Sequence, residues 1–188
     1  MLSRLSHTVS IDNSIVTGCF AYEGGGLYFG HTFECLVRSA NISFCQGSRG
    51  PALKSIGSAL TLSYAMVSNC LISSIVDGAI GVYSGKFIAI LDCFFLGMQT
   101  VSEEENSSTA IGIYTLHEPS VITNCLFYKC TENKFIISVI TTKVPIYITD
   151  CMFSITNSSM VYYIEDAKVI EQGSQFGVQS RVQFLPHP

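Results

Sequence analysis

The sequence lacks several features that mark particular classes of protein. Its 188 residues include no Trp, only five Pro and 13% charged residues, whereas 48% are apolar. A chain with so many apolar and so few charged residues is typical of a folded domain with a sizeable core, and this balance excludes a disordered protein. The length favours one domain over two.

Clusters of basic residues are also missing. Ten Lys and Arg are scattered among 14 Asp and Glu, which gives a net charge of −4. Because a surface that binds phosphate needs clustered cations, nucleic acid is not an expected partner. No apolar run approaches the roughly 20 residues that a membrane-spanning helix requires, so no transmembrane helix is predicted in this chain.

Metal-binding spacings are absent as well. The eight Cys form no CxxC pair, and the four His are dispersed along the chain. We therefore predict neither a metal site nor a cofactor. A disulfide framework is unnecessary in a chain this apolar, although oxidation of some Cys pairs remains an alternative.

A repeated hexapeptide is the main pattern that is present. Six segments align: VTGCFA (16–21), SANISF (39–44), VSNCLI (67–72), ILDCFF (90–95), ITNCLF (122–127) and ITDCMF (148–153). Their fourth position is Cys in five of the six copies, at intervals of 23 to 32 residues. A second series of β-rich segments lies between them, as in GAIGVY (78–83) and TAIGIY (109–114). A repeat this short cannot bury its own apolar side chains, so it must stack on its copies.

The repeat predicts an all-β fold, a right-handed parallel β-helix of about six to seven coils. Stacking would place like residues on one another about 4.8 Å apart. The Gly, Asn or Asp before the Cys column would turn each corner, because these residues tolerate a positive φ best. The predicted corner ladder is Gly18, Asn41, Asn69, Asp92, Asn124 and Asp150. The predicted core ladder is Cys19, Ile42, Cys70, Cys93, Cys125, Cys151, Phe44, Phe95, Phe127 and Phe153.

An antiparallel β-sandwich is the alternative fold. It needs Asn-Gly or Asp-Gly hairpins, and Asp77-Gly78 is the only such pair in the sequence. We predict one β-helix domain over residues 1–188, with regular coils at about 13–165 and an irregular last coil and tail at 166–188. A fragment of a longer solenoid is an alternative, because stacked sheets need a cover at each end. Neighbouring β-helix coils or an oligomer could provide that cover.

The segments ITNCLFYKC (122–130), DGAIGVY (77–83) and TAIGIY (109–114) resemble the repeats of pectin-lyase-like right-handed β-helix proteins. In pattern they are most similar to polymorphic outer membrane protein repeats, and the resemblance covers about residues 13–165. It implies a non-enzymatic surface, adhesion or structural interaction module whose partner is a protein or a glycan. The expected location is the cell surface or the extracellular space, with an intracellular location as the alternative.

A carbohydrate-active β-helix enzyme, a polysaccharide lyase or glycoside hydrolase, is the second functional hypothesis. Asp92 and Asp150 are its candidate catalytic residues, since such enzymes gather carboxylates in an outer cleft. No Lys or Arg shares their column, so the leading hypothesis assigns no catalytic residue. The acidic stretch TVSEEENSST (100–109) is predicted to be a loop. Asn-x-Ser/Thr sequons give candidate glycosylation sites at Asn41, Asn106 and Asn157.

Overall fold

The computed structural model describes residues 7–73, 78–101, 108–130, 135–154 and 160–177. Within these ranges the chain forms 23 β-strands and no helix. Every strand pair is parallel, and the strands stack into an all-β solenoid of about six turns. Among the same residues, no helix is long and apolar enough to cross a membrane.

Three long sheets form the sides of the solenoid, and each takes one strand from successive turns. Sheet I contains β3 (Leu27–Gly30), β7 (Leu53–Ile56), β11 (Ile80–Gly85), β15 (Ser108–Leu116), β18 (Phe135–Ile140) and β21 (Met160–Glu165). Sheet II contains β1 (Thr8–Asp12), β4 (Glu34–Arg38), β8 (Ala59–Ser63), β12 (Ile88–Leu91), β16 (Ser120–Thr123), β19 (Pro145–Thr149) and β22 (Lys168–Gln172). Sheet III contains β2 (Ile15–Thr17), β5 (Asn41–Ser43), β9 (Met66–Ser68), β13 (Phe94–Leu96), β17 (Leu126–Tyr128), β20 (Met152–Ser154) and β23 (Gln175–Phe176). A short fourth sheet contains β6 (Gln46–Gly47), β10 (Leu71–Ile72) and β14 (Gln99–Thr100).

Sheet I confirms that the second series of segments stacks in register. One of its ladders runs through Leu27, Leu53, Ile80, Ile111, Ile137 and Tyr162. From Leu53 to Tyr162, each of these side chains is fully buried or nearly so. The β-branched and aromatic residues of these segments suit a pleated surface that packs on identical neighbours.

The core lies inside the solenoid, between the three long sheets. In sheet II, the stacked residues Val37, Leu62, Ile90, Ile122 and Ile148 are fully buried. In sheet III, the rings of Phe95, Phe127 and Phe153 stack with centroids 4.8 Å apart. The ring of Phe176 continues this stack at 5.4 Å from Phe153. The spacing of the rings therefore follows the spacing of the strands in a parallel ladder.

The regular ladders extend past the predicted range of 13–165 at both ends, from Thr8 to Phe176. The last turn keeps the corner with Gly173 and the stacked aromatic ring of Phe176. The sequence predicted an irregular last coil here, because Ser174 occupies the position that Cys151 holds in the turn before. The assignment of residues 1–188 to one domain stays a prediction.

One charged side chain is buried on the outer side of sheet I. The Lys54 side chain is 2% exposed, and its Nζ atom lies 2.9 Å from Glu23 Oε1. The same Nζ atom lies 4.5 Å from the ring centre of Tyr83. The hydrogen bond from Lys54 is the largest contribution that lowers the pKa of Glu23. A buried ammonium group is tolerated only with such partners, so these contacts explain its burial.

Candidate functional site

Each turn has two corners that flank sheet III, and both begin with a residue at positive φ. The first corner, between sheets II and III, contains Asn13, Ser39, Tyr64, Asp92, Asn124, Asp150 and Gly173. The second corner follows sheet III and contains Gly18, Phe44, Asn69, Gly97 and Lys129. Where both are present, the second corner residue lies five positions after the first. The short strands of sheet III fill this interval.

The single Cys column predicted from the sequence is wrong, because it merges these two corners. Cys93, Cys125 and Cys151 follow the first corner, whereas Cys19 and Cys70 follow the second. The structure adds Cys45 and Cys130 to the second group, and all eight Cys are free. Both corners combine a positive-φ residue with a following residue at the edge of the core, so they have the same local sequence pattern. The five hexapeptides that contain Cys therefore have similar sequences, but three of them lie at the first corner and two at the second.

Three further assignments are corrected by the strand register. Ile42 is fully buried, but it lies within sheet III, where it stacks between Val16 and Val67 and in a different column from the Cys residues. Asn41 begins β5 and turns no corner. Phe44 is a corner residue with φ of 53° and a side chain that is 63% exposed, so it lies outside the core. All three errors come from aligning SANISF with the Cys-containing hexapeptides, which shifted this turn relative to its neighbours.

The first corner brings the candidate carboxylates together on the outer surface. Asp92, Asn124 and Asp150 occupy the same corner in successive turns. The Asn124 Nδ2 atom donates a 2.5 Å hydrogen bond to Asp92 Oδ1. Since Asp92 and Asp150 are two strand spacings apart, their backbones are separated by about 9.6 Å. The two carboxylates therefore share one face, with an amide between them.

A groove of about 330 Å³ runs along this corner. It is lined by Tyr64, Asp92, Phe94, Asn124, Cys125, Leu126, Asp150 and Met152. The polar corner residues form one wall, and the first residues of β13, β17 and β20 form an apolar wall opposite. The volume is at the small end of the range for ligand pockets, and both walls are solvent-accessible.

The groove exposes large apolar side chains. Tyr64 is 68% exposed, Phe94 is 50% exposed and Met152 is 48% exposed. Exposed apolar residues in one place, bordered by polar groups, are typical of binding surfaces. No Lys, Arg or His is among the described residues that line the groove. Its charge comes from Asp92 and Asp150.

The thiol at the floor of the groove is not a good nucleophile. Hydrogen bonds with the Cys151 and Cys93 thiols, followed by burial, raise the pKa of the Cys125 thiol far above its ordinary value. Cys125 is only 2% exposed. Because the thiolate is the reactive form, a protonated and buried thiol packs as a small apolar group.

Among the other candidates from the sequence, Asn41 is the one that lies within the described residues. Asn106, Asn157 and the glutamates at 103–105 lie outside the described residues. Asn41 is partly buried, and its side-chain oxygen has no hydrogen-bond partner. No group of three His, Cys, Asp or Glu in the described ranges is arranged to hold a metal ion.

The residues missed by sequence reasoning are Tyr64, Phe94, Leu126 and Met152. Phe94, Leu126 and Met152 stand two positions after a first-corner residue, a position to which the repeat assigned no role. The strand register aligns Met66, Phe94, Leu126 and Met152 in one outward column. A run of large apolar residues in an outward column was the available signal.

Similarity to known proteins adds nothing to this geometry. No protein-family profile, curated protein or solved structure gives a significant match to the chain. The parallel β-solenoid is therefore the level at which the chain can be classified.

Proposed function

We propose that the chain is a non-enzymatic interaction module that binds a partner through the first-corner groove, in the manner of surface or adhesion proteins. A glycan is the favoured partner, with a segment of another protein as the alternative. The observation that carries this proposal is the pairing of a polar wall, Asp92, Asn124 and Asp150, with an exposed apolar wall that begins at Phe94. The resemblance to polymorphic outer membrane protein repeats supports the same class of function and a location at the cell surface or outside the cell.

The two walls suit the chemistry of a sugar ring. The carboxylate and amide groups can accept and donate hydrogen bonds to several hydroxyl groups. The ring of Phe94 and the side chains of Leu126 and Met152 can cover the apolar C–H face of a saccharide. Repetition of the walls along the solenoid axis favours a linear ligand that lies across several turns.

A glycoside hydrolase is the second candidate, because Asp92 and Asp150 face the same groove. Their backbone separation of about 9.6 Å is close to the ~6.5–9.5 Å range of carboxyl separations in inverting enzymes. The groove is shallow and both carboxylates are on a solvent-accessible wall, whereas catalytic sites gain most from excluding water. Binding without turnover is therefore the favoured function.

A glycan panel tests the proposal directly. The purified chain should bind at least one neutral or acidic polysaccharide in the panel and release neither reducing ends nor unsaturated products. Phe94→Ala should weaken binding by at least about tenfold, because it removes the exposed ring from the apolar wall. Tyr128→Ala is a matched control, since Tyr128 is also in sheet III and 43% exposed but lies outside the lining residues.

Three other outcomes would change the conclusion. Product release that is lost in both Asp92→Asn and Asp150→Asn would establish the hydrolase. Equal losses of binding from Phe94→Ala and Tyr128→Ala would move the binding site away from the groove. The absence of any glycan binding would overturn the glycan proposal and leave a protein partner to be sought.

A further inference from the structure

The two ends of the solenoid differ in their suitability for association. At the N-terminal end, the edge consists of β1, β2 and β3, each of which pairs on one side only among the described residues. At the C-terminal end, the edge consists of β21, β22 and β23. An unpaired edge strand can accept another strand unless its side chains prevent it.

The N-terminal edge has an apolar inner column. Val9, Ile11, Val16 and Leu27 are partly buried and pack against the core. Val9 stacks on Cys35 and Ile11 on Val37, and both of these residues are fully buried. A strand added to this edge would complete the burial of Val9 and Ile11 without burying a charge.

The C-terminal edge has a charge in the same column. Sheet II places Glu171 directly after Ile148, which is fully buried. The Glu171 side chain is exposed, and its Oε1 atom accepts a 3.0 Å hydrogen bond from the Ser174 backbone N–H. Another coil stacked here would remove this carboxylate from water, which is strongly unfavourable because Glu171 forms no ion pair within the described part of the chain. An inward charge of this kind protects an edge from extension.

This difference disfavours head-to-tail stacking of copies. In such a stack the C-terminal edge of one copy would meet the N-terminal edge of the next, and Glu171 would face Ile11. An open contact of that type would also continue into a filament. Contact between two N-terminal edges avoids the charge and closes after two copies.

The sequence of β1 suits a two-fold contact. Thr8, Val9, Ser10, Ile11 and Asp12 alternate between outward polar and inward apolar positions, symmetrically about Ser10. The Asn13 N–H donates a hydrogen bond to Arg38 O, so the backbone groups of Asn13 face β4. Successive residues of a strand direct their N–H and C=O groups to opposite sides, so those of Ser10, three residues earlier, face the open side of β1. Antiparallel pairing about Ser10 would place Val9 opposite Ile11 of the partner and the Thr8 hydroxyl opposite the partner's Asp12.

We propose that the N-terminal edge is a self-association surface and that its occupant is a second copy of this chain, joined by antiparallel pairing of the two β1 strands about Ser10. The contact is isologous, which is the commonest arrangement in soluble oligomers. It leaves the groove at Asp92, Asn124 and Asp150 open, since these residues lie several turns from β1. Failure of self-association would therefore leave the proposed groove function untouched.

Sedimentation equilibrium of the 188-residue chain tests the association. The wild-type protein should show twice the chain mass of 20.5 kDa in the micromolar range. Ile11→Lys should raise the dissociation constant at least about 100-fold, because it introduces a charge into the contact. Val169→Lys is the matched control, since Val169 lies in the neighbouring inward column at the opposite end, and it should remain dimeric.

A crosslink keeps the test independent of any loss of folding in Ile11→Lys. Two Ser10→Cys residues on the two-fold axis would form a hydrogen-bonded antiparallel pair with Cα atoms about 5.5 Å apart, which permits a disulfide. Mild oxidation should give a covalent dimer of Ser10→Cys but not of Thr61→Cys, which lies in the same outward column in the middle of the solenoid. A wild-type chain that stays monomeric up to millimolar concentration, or a dimer dissociated by Val169→Lys but not by Ile11→Lys, would overturn the proposal.

Discussion

The stacked aromatic rings inside sheet III allow a sharp test of the register. Phe127 is fully buried, and its ring lies between those of Phe95 and Phe153 at 4.8 Å on each side. Phe127→Ala removes a buried ring and leaves a cavity in a core that has no way to collapse without shifting its ladders. Changes of this kind cost about 3–5 kcal/mol of unfolding free energy. Loss of two ring contacts, each worth about 0.5–1.5 kcal/mol, places the expected value in the upper half of that range.

Phe44→Ala is the matched control, because the repeat aligned Phe44 with Phe127 whereas the structure does not. Phe44 is 63% exposed, so its removal should change the unfolding free energy by no more than about 0.5 kcal/mol. Urea titrations followed by far-ultraviolet circular dichroism, with similar slopes for all variants, would give both values. Equal destabilisation by the two substitutions, or a loss below about 1 kcal/mol for Phe127→Ala, would refute the register.

Three other expectations follow from single side chains. Asp150→Gly should be nearly neutral in a urea titration, because Asp150 has φ of 52°, whereas a loss above about 2 kcal/mol would show a role beyond the corner. At pH 8, a thiol reagent should modify only the partly exposed Cys19 rapidly, since burial protects the other thiols and raises the pKa of Cys70 to about 12. All eight thiols should react after unfolding, and a smaller number would reveal a disulfide. The contact with Lys54 lowers the pKa of Glu23 from its ordinary 4.5. This contact therefore stabilises the folded state fully above pH 4.5, and the stabilisation is lost as the pH falls through the pKa of Glu23 in the folded state. The stability difference between wild type and Glu23→Gln should therefore shrink below pH 4.5, and a difference that is constant with pH would contradict the ion pair.

The parallel solenoid could be predicted because several features of the sequence agree. Segments such as GAIGVY and TAIGIY have the same apolar pattern, and each repeat is too short to bury its own apolar side chains. Sheet I stacks these two segments on each other, as expected. Helix-forming periodicity and hairpin dipeptides are scarce, which removes the main competing folds. The fold could be predicted because contacts between neighbouring turns are most favourable when the same residue type recurs at the same position, which leaves a visible repeat in the sequence.

The assignment of the Cys residues to corners could not be predicted with the same pattern. Asn124-Cys125 and Lys129-Cys130 form two corners within one turn, and the first residue of each has a similar positive φ, 52° and 50°. An alignment with one corner in each turn can include only one of the two. The hexapeptide repeat includes the second corner in some turns and the first corner in others. Only the constant spacing of five residues between Asn124 and Lys129, and between their counterparts, separates the two corners.

That five-residue spacing also accounts for the groove. Between Asp92 and Gly97 the chain has room for a three-residue strand and one residue, Cys93, at the edge of the core. Asp92 and Phe94 therefore both point outward, with the buried Cys93 between them, and the turns at Asn124 and Asp150 repeat this arrangement along the groove. The groove has an apolar wall where the outward residue after the Cys is large and apolar, as at Phe94, Leu126 and Met152. The position of the candidate site is thus set by corner geometry, while its chemistry is set by side chains that the stability of the solenoid does not require.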